Sequence, residues 1–289
     1  MNSRSRCVWR FRRHCLELGG RTWIAGILNL TPDSFFDGGT HPDVESALQH
    51  ARRLLSEGAD LLDLGGESSR PGANSVPSDE EQRRILPVLR ALRAETDAPI
   101  SIDTRRAETA AAALECGADI INDITALRDP DMAGVVSRHR AGLVLMHMRG
   151  DPATMQKQPV YEDVLREVET FLRERIRIAR EAGIEDEALA VDPGIGFGKT
   201  PEQNRALLRA FPEMRIGNRP WWIGVSRKSW LGTMTGRPVE DRLAAGLGAL
   251  AYAALNGAHV LRVHDVKDSC DAARVVDHLL EEPKINELA

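Results

Sequence analysis

The chain has 289 residues, of which 42% are hydrophobic, and its 38 basic and 43 acidic residues give a formal net charge of -5. This length suits one large domain or two small ones, and it is close to the size usual for a (β/α)8 barrel. The acidic balance argues against nucleic acid as a general partner. No run approaches the roughly 20 apolar residues that a membrane span needs, so no membrane association is predicted.

The first residues, MNSRSRCVWRFRRHC, are strongly basic but lack the apolar segment of a secretory signal. We therefore predict a poorly ordered arm over residues 1–20, a single domain over residues 21–289, and a cytoplasmic location. The cysteines show no paired spacing, so neither a disulfide framework nor a cysteine metal site is indicated; they are Cys7, Cys15, Cys116 and Cys270.

Short apolar runs alternate with longer amphipathic stretches, which is typical of parallel strands buried on both faces and separated by helices. The predicted strands cover residues 22–28, 60–65, 99–103, 119–124, 142–147, 188–192, 221–225 and 259–264. The predicted helices lie near 43–57, 79–95, 106–115, 130–139, 161–182, 201–210, 239–256 and 266–281. Helix start signals are Ser78, Thr104 and Thr200 followed by Pro201. These eight units indicate an α/β protein with a (β/α)8 TIM barrel, although an open doubly wound sheet has the same strand count.

Unusual polar residues occur at the carboxyl ends of most predicted strands. A (β/α)8 barrel builds its active site at this rim from several strands at once, whereas two independent domains would separate these residues. This distribution favours the closed barrel. The residues are Asn29, Asp63, Asp103, Asn122, His147, Asp192, the segment 226–229, Arg262 and His264. Two long stretches rich in Gly, Pro and Ser, 31–42 and 65–77, follow the first two strands and are predicted to be functional loops.

The acids and the amide at this rim suit a flat heterocycle that is rich in hydrogen-bond donors. Asp103, Asn122 and Asp192 end the third, fourth and sixth predicted strands. A carboxylate can accept two parallel hydrogen bonds from an amidine-like edge, and such charge-assisted bonds are strong. Each residue alone could instead cap the helix that follows, but three of them together weaken that alternative.

The last two predicted strands end in cations. Arg227 and Lys228 follow the seventh strand. Arg262 and His264 are two apart on the eighth, so the side chains of these two residues share one face. Phosphate sites in barrels often lie beside these last two loops, and this combination suits a phosphate or pyrophosphate. A salt bridge on the rim is the alternative explanation for Arg262.

The segment DPGIGFGKT (192–200) departs from the spacing of the dinucleotide fingerprint and of the P-loop. We expect its glycines to let the backbone approach a planar ligand beneath Phe197. His147 and His264 lack acids at zinc-ligand spacing, and His147 could simply be a packed strand end. An oxygen-ligated Mg²⁺ that includes Asn29 and substrate phosphates is chemically easier than a zinc site.

Eight ordered segments closely resemble the motifs of bacterial dihydropteroate synthases. They are GILNLTPDSFFDGG (26–39), ADLLDLGGESSRPGA (59–73), SIDT (101–104), INDI (121–124), LMHMRGDPATMQ (145–156), DPGIGFGK (192–199), SRKS (226–229) and RVHD (262–265). The resemblance implies a homodimeric (β/α) barrel that uses Mg²⁺. It also implies a reaction in folate biosynthesis, in which 6-hydroxymethyl-7,8-dihydropterin pyrophosphate and p-aminobenzoate give 7,8-dihydropteroate and pyrophosphate.

The resemblance also implies roles for residues at matching motif positions. The pterin would be bound by Asp103, Asn122, Asp192 and Lys228. Asn29 would contact Mg²⁺, and Arg262 and His264 would hold the pyrophosphate. The p-aminobenzoate pocket, which binds sulfonamide drugs in this family, would comprise Phe35, Ser69, Arg70, Pro71, Phe197, Gly224 and Ser229. Catalysis, with pyrophosphate leaving before the new bond forms, is expected to depend on Asp37, Lys228, Arg262 and His264.

Two departures and two alternatives accompany this prediction. Ser69 stands where relatives often have Thr, and Phe36 stands where Ser is more usual.

A methyltetrahydrofolate:corrinoid methyltransferase also binds pterins with similar acids, but it needs neither a p-aminobenzoate pocket nor cations for pyrophosphate. A catalytically silent paralogue is the second alternative, and the presence of Asn29, Lys228, Arg262 and His264 argues against it.

Overall fold

The computed structural model describes residues 4–31, 36–37, 41–68, 72–73, 75–156 and 159–281, with only the backbone of 36–37 and 41–42 described. The strands in this part of the chain are β1 (Cys7–Phe11), β2 (His14–Leu18), β3 (Trp23–Asn29), β4 (Phe36–Asp37), β5 (His41–Pro42), β6 (Leu61–Gly65), β7 (Ile100–Asp103), β8 (Ile120–Asp123), β9 (Gly142–Met146), β10 (Leu189–Asp192), β11 (Trp222–Gly224) and β12 (Val260–Val263).

Eight of these strands form one parallel sheet in the order β10-β9-β8-β7-β6-β3-β12-β11. A parallel bridge between Val191 and Trp221 joins the two ends of this sheet. The backbone N–H of Val191 also donates to the carbonyl of Pro220 at 3.0 Å. The sheet therefore closes, which confirms the predicted barrel and excludes the open sheet. The remaining strands form two short antiparallel pairs, β1 with β2 and β4 with β5.

The helices surround the barrel. In the described residues they are α1 (Val44–Ser56), α2 (Ser78–Arg93), α3 (Ala107–Glu115), α4 (Met132–His139), α5 (Val164–Glu181), α6 (Pro201–Ala210), α7 (Ser229–Thr235), α8 (Leu243–Leu255) and α9 (Val266–Leu280). All eight predicted helices are confirmed to within a few residues. Helix α7 was not predicted, because its sequence SWLGTMT is short and contains a glycine and two threonines, which lower helix propensity. None of the helices described is both long and apolar enough to cross a bilayer.

Only one of the predicted helix start signals acts as a cap. The Thr200 hydroxyl accepts a bond from the Gln203 N–H at 3.3 Å, and the Gln203 side chain accepts the Thr200 N–H at 2.8 Å, which is a complete capping box. Ser78 lies inside the first turn of α2, and α3 starts three residues after Thr104. The side-chain caps of α1 and α5 are aspartates that were not predicted, Asp43 and Asp163.

The amino-terminal hairpin of β1 and β2 closes the amino-terminal end of the barrel. Trp9 and Phe11 are completely buried, and the Trp9 ring packs edge-on against Trp222 of β11 with their centroids 6.1 Å apart. The Trp9 indole N–H donates to the Ala188 carbonyl at 3.0 Å. We predicted a poorly ordered arm over residues 1–20, whereas residues 7–18 form this hairpin. The reason lies in CVWRF, where exposed Arg10 separates two buried aromatic residues, so a strand pattern is present within a basic composition.

The barrel interior has two layers of different chemistry. The layer above the hairpin is apolar and consists of Ala25, Leu61, Ile120, Val144, Ala190, Trp222 and Val260. Side chains alternate between the two faces of a strand, so the residue two positions further along faces the interior one layer higher. That second layer lies towards the carboxyl ends of the strands, where (β/α)8 barrels carry their active sites.

Candidate active site

The upper interior layer is polar because of this alternation. Two residues beyond Leu61, Ile120, Ala190 and Val260 lie Asp63, Asn122, Asp192 and Arg262. Asp103 ends β7 in register with Asn122. All three of these acids and Asn122 are at most 8% exposed. The structure therefore brings this group of rim residues together inside the barrel, and their role in binding stays a prediction.

Arg262 joins two of the acids. Its Nε donates to Asp63 Oδ2 at 2.5 Å, and its Nη2 donates to Asp103 Oδ2 at 2.9 Å. Asn122 Nδ2 also lies 3.4 Å from Asp63 Oδ2. The buried guanidinium thus neutralises carboxylates that would otherwise be costly to bury. The salt bridge considered as the alternative for Arg262 is present in this structure.

These contacts change the protonation of the site. Burial raises the pKa of Asp103 to about 7, although the positive charge of Arg262 opposes this shift. Burial lowers the pKa of Arg262, but the charges of Asp63 and Asp103 outweigh burial and raise it above the ordinary value. Arg262 therefore stays charged, whereas Asp103 exchanges its proton near neutrality.

Burial and neighbouring charges also shift the pKa values of Asp192 and Lys228. Burial raises the pKa of Asp192 to about 6, opposed by its bond from the Gly194 N–H at 2.7 Å and by the charges of Lys228, Lys199 and Arg262. Burial and Arg262 lower the pKa of Lys228 to about 8, while Asp192 and Asp103 act in the opposite direction. The Lys228 ammonium lies 4.0 Å from the centroid of the Phe197 ring, within the range of a cation–π contact.

The glycine run 192–200 has a structural role besides the expected approach of a ligand. Gly194, Gly196 and Gly198 all have left-handed φ values, of +71°, +87° and +62°. A Cβ atom on Gly194 would lie 1.8 Å from the His147 carbonyl oxygen, and one on Gly198 would lie 2.5 Å from that of Arg149. The glycines thus let the loop turn and pack against the protein itself, in addition to any approach of a ligand.

The last strand places His264 beside Ser226. The His264 Nδ1 lies 3.0 Å from the Ser226 hydroxyl. Burial and the charge of Arg262 lower the pKa of His264 to about 3, so this imidazole is neutral near pH 7. It can donate one N–H but carries no positive charge. Arg227 forms an ion pair with Asp265 at 2.5 Å, so it is engaged at the outer part of the rim.

Comparison with known proteins agrees with this geometry. A family model described as "Pterin binding enzyme" matches residues 25–264. A dihydropteroate synthase from Synechocystis sp. is 44% identical over 265 residues, covering 91% of this chain and 92% of the relative. The chain belongs to the dihydropteroate synthase family.

Two solved dihydropteroate synthase structures from Xanthomonas albilineans are similar to this chain. One, with 4-aminobenzoic acid, is 45% identical, covers 96% of this chain and all (100%) of its own, and has a TM-score of 0.89. The other, in complex with 7,8-dihydropteroate, is 43% identical, covers 94% of this chain and 98% of its own, and has a TM-score of 0.84. The fold and the family predicted from the sequence are therefore confirmed.

Several residues that the dihydropteroate synthase resemblance singled out lie outside the described part of the chain. These are Phe35, Ser69, Arg70, Pro71 and the side chain of Asp37. Asn29 is half-buried at the end of β3, where it pairs in register with Gly65 of β6. Gly224 ends β11 and Ser229 begins α7, so both lie on the rim beside Lys228. Their roles in binding remain predictions.

Two buried residues that contact or neighbour the site received no role from the sequence. Asp63 was noted as a strand-end acid, and its position two residues after Leu61 was the available signal for an interior location. Lys199 gave no signal, because a lysine after a glycine run normally extends into solvent. In the structure it is 2% exposed, and its Nζ lies 2.9 Å from His147 Nδ1. His147 is correspondingly more than a packed strand end, because it is a partner of this buried cation.

Proposed function

We propose that this chain condenses 6-hydroxymethyl-7,8-dihydropterin pyrophosphate with p-aminobenzoate, and that pyrophosphate leaves before the new carbon–nitrogen bond forms. The observation that carries the proposal is the convergence of two acids, one amide and two cations at one mouth of the barrel. The family relationship supports the overall reaction, since relatives of this chain are dihydropteroate synthases with 4-aminobenzoic acid or 7,8-dihydropteroate bound. The order of bond breaking is argued from the charges of the site.

The pterin would occupy the polar layer formed by Asp103, Asn122 and Asp192. The Oδ1 atoms of Asn122 and Asp63 are buried, and each lacks a hydrogen-bond partner among the described residues. Buried acceptors without partners are costly, and the donor-rich edge of a pterin would satisfy them. Asp192 keeps one oxygen on the Gly194 N–H, which leaves its other oxygen for the ligand.

Departure of pyrophosphate would be assisted mainly by Arg262. A guanidinium has five N–H donors, and the bonds to Asp63 and Asp103 use two of them. The remaining donors can bind the negative charge that develops on the leaving oxygen, and such preorganised charge is a large term in catalysis. His264, being neutral, would contribute an N–H donor rather than a second cation.

The aniline nitrogen of p-aminobenzoate is a weak nucleophile, but it suffices against the carbon cation that remains on the pterin methylene. The Phe197 ring, with Lys228 on its face, would form one wall for the benzoate ring. Ser229 and the backbone near Gly224 would hold the carboxylate. Stabilisation of the cation by Asp37, and exclusion of water by the two long loops, are further parts of the proposal.

Magnesium fits this site as an ion that arrives with the substrate. Among the described residues, no group of three or more His, Cys, Asp or Glu side chains could hold a metal. Asn29 would offer one amide oxygen at the rim, and Mg²⁺ commonly combines few protein oxygens with substrate phosphates and water. When bound, the ion would supply Lewis-acid neutralisation of the pyrophosphate charge.

One assay tests the proposal against its alternatives. The purified chain is incubated with the pterin pyrophosphate, and both pyrophosphate and dihydropteroate are measured with and without p-aminobenzoate and Mg²⁺. We expect product only when all components are present. A silent paralogue would bind the pterin without releasing pyrophosphate, and a methyltransferase would instead transfer a methyl group from methyltetrahydrofolate to a corrinoid. Either result would refute the proposal.

The dissociative order has a separate test. The pterin substrate is labelled with oxygen-18 in the ester oxygen that joins its methylene carbon to phosphorus. If the carbon–oxygen bond breaks reversibly before p-aminobenzoate attacks, this label moves into the non-bridging positions of the same phosphorus. We expect scrambled label in substrate recovered from incubations without p-aminobenzoate. If the label is scrambled neither there nor in substrate recovered during turnover, pyrophosphate does not leave first. The homodimer and the cytoplasmic location stay predictions, and sedimentation of the purified chain tests the first.

A further inference from the structure

Side chains from several parts of the chain bind the backbone of the loop between β10 and α6. This loop, residues 193–200, carries Phe197, and side chains from several elements bind its peptide groups. Gln156 Nε2 donates to the Gly196 carbonyl at 2.9 Å, and the Tyr161 hydroxyl donates to the Gly198 carbonyl at 2.9 Å. The Asn204 Oδ1 accepts the Gly196 N–H at 2.6 Å. These bonds restrain the path of a segment that glycines would otherwise leave free.

Lys199 is at the centre of these ties. Its Nζ lies 2.9 Å from the Gly194 carbonyl, 2.9 Å from the Phe197 carbonyl and 2.9 Å from His147 Nδ1. The His147 carbonyl is a more distant fourth neighbour at 3.3 Å. An ammonium group has three N–H donors, and three acceptors lie at the shorter distance. The loop therefore closes around the side chain of its own lysine.

We propose that Lys199 is a positioning residue for p-aminobenzoate: its ammonium group holds the carbonyls of Gly194 and Phe197 and thereby fixes the Phe197 ring against Lys228. The inference rests on the proposed function, because Phe197 is assigned there to the wall of the benzoate site. Lys199 itself contacts neither substrate. It acts only through the loop.

The bonds from Lys199 to the two loop carbonyls do not depend on its protonation state. Burial and the nearby charges of Lys199 and Arg149 lower the pKa of His147 to about 2, so its imidazole is neutral and can accept a bond at Nδ1. Burial lowers the pKa of Lys199 to about 7, whereas the charge of Asp192 acts in the opposite direction. An ammonium group donates to both carbonyls and to His147 Nδ1. A neutral amine still has two N–H donors for the carbonyls, and its lone pair can accept a bond from the other tautomer of His147, so the loop carbonyls are held in both states.

A purely structural explanation accounts poorly for this lysine. The bonds from its Nζ go to carbonyl oxygens and an imidazole rather than to a carboxylate. Burying a cation without a directly paired anion is costly, and an apolar residue of similar size would avoid that cost. An apolar residue could not bind the carbonyls of Gly194 and Phe197, and these bonds fix the part of the loop that carries the Phe197 ring.

The decisive variant is Lys199→Met, which keeps the length of the side chain and removes its donors. We expect KM for p-aminobenzoate to rise about 10-fold or more, because the ring that forms its wall loses its anchor. The dissociation constant for 6-hydroxymethylpterin should change clearly less than this KM, because Asp103 and Asn122 lie on other strands and only Asp192 is close to the charge of Lys199. Lys267→Met, at an exposed position on α9, is the matched control and should leave both values unchanged.

The outcomes are distinguishable from failure of the proposed function. If the wild-type chain makes no dihydropteroate, the proposed function fails. If the wild-type chain makes dihydropteroate, two results for Lys199→Met would overturn only this inference. One is a normal KM for p-aminobenzoate, and the other is a loss of pterin affinity as large as the rise in that KM. If circular dichroism shows that Lys199→Met does not fold, Gln156→Leu combined with Tyr161→Phe decides. This double variant removes two other ties to the loop and should raise the same KM, and an unchanged value would refute the role of the loop.

Discussion

Replacement of Arg262 by methionine tests both its proposed catalytic role and its structural role. In the wild-type chain the guanidinium binds Asp63 at 2.5 Å and Asp103 at 2.9 Å, and the side chains of these acids are 0% and 8% exposed. Methionine fills much of the same volume but leaves both carboxylates without their cation. The variant therefore probes leaving-group stabilisation and the burial of charge at once.

The expected magnitudes follow from these contacts. Removing one partner of a buried ion pair costs about 3–5 kcal/mol of unfolding free energy, because the remaining charge is uncompensated. Turnover should fall roughly 100- to 1000-fold, as for loss of a preorganised donor at a developing negative charge. The affinity for 6-hydroxymethylpterin should fall less than about 10-fold, since Asn122 and Asp192 remain.

The stability loss should depend on pH in a defined direction. Burial raises the pKa of Asp103 from 3.8 to about 7 even with Arg262 present, and loss of that cation raises it further. The native state then binds a proton that the unfolded chain has released, so unfolding free energy falls as pH rises through this window. In the wild-type chain, the contribution of Asp103 to the unfolding free energy stops falling near pH 7. In the variant this contribution should keep falling above pH 7, by up to about 1.4 kcal/mol per pH unit.

Urea denaturation at pH 6, 7 and 8, followed by tryptophan fluorescence, measures this loss, and pyrophosphate release measures turnover. Arg21→Met is the control, because the Arg21 side chain is 53% exposed in its ion pair with Asp60 and should contribute at most about 1 kcal/mol. A stability loss that does not grow between pH 7 and 8 would refute the electrostatic reasoning. Equal losses of turnover and pterin affinity would refute the assignment of Arg262 to the leaving group.

Three further outcomes are expected. Because burial raises the pKa of Asp192 to about 6, calorimetric affinity for 6-hydroxymethylpterin should fall roughly 10-fold per pH unit below that value, and Asp192→Asn should abolish this dependence. Trp9→Ala should lower the unfolding free energy in urea by about 3–5 kcal/mol while turnover is retained, and lost turnover in a folded variant would contradict the assignment of the hairpin to the end opposite the site. Sulfonamides should inhibit competitively with p-aminobenzoate, and inhibition unaffected by p-aminobenzoate would place the drug elsewhere.

The fold was largely predictable because its signals are local and repeated. Apolar strand segments and amphipathic helices alternate eight times, and polar residues mark the strand ends. The hairpin of β1 and β2 was missed because basic residues dominate the composition of its sequence, and its partner surface exists only after the barrel has closed. Helix α7 was missed because its stability comes from burial of Trp230 and Leu231 rather than from propensity.

The residues that form the site were easier to predict than the contacts between them. Asp103, Asn122, Asp192 and Arg262 were expected at one rim, and the structure brings them together. The bond between Arg262 and Asp63 could not be predicted, because the two residues are 199 positions apart in the sequence. The neutrality of His264 and the burial of Lys199 likewise depend on three-dimensional surroundings, since desolvation by distant segments determines both.

The central claim is that one mouth of the barrel binds the pterin ring through its acids and the leaving group through its cation. A crystal structure of the chain with 6-hydroxymethylpterin pyrophosphate or a non-hydrolysable analogue and Mg²⁺ tests it most directly. We predict hydrogen bonds from the pterin ring to Asp103, Asn122 and Asp192, with Arg262 in contact with the pyrophosphate. A pterin bound away from these acids, or a pyrophosphate out of reach of Arg262, would contradict the account.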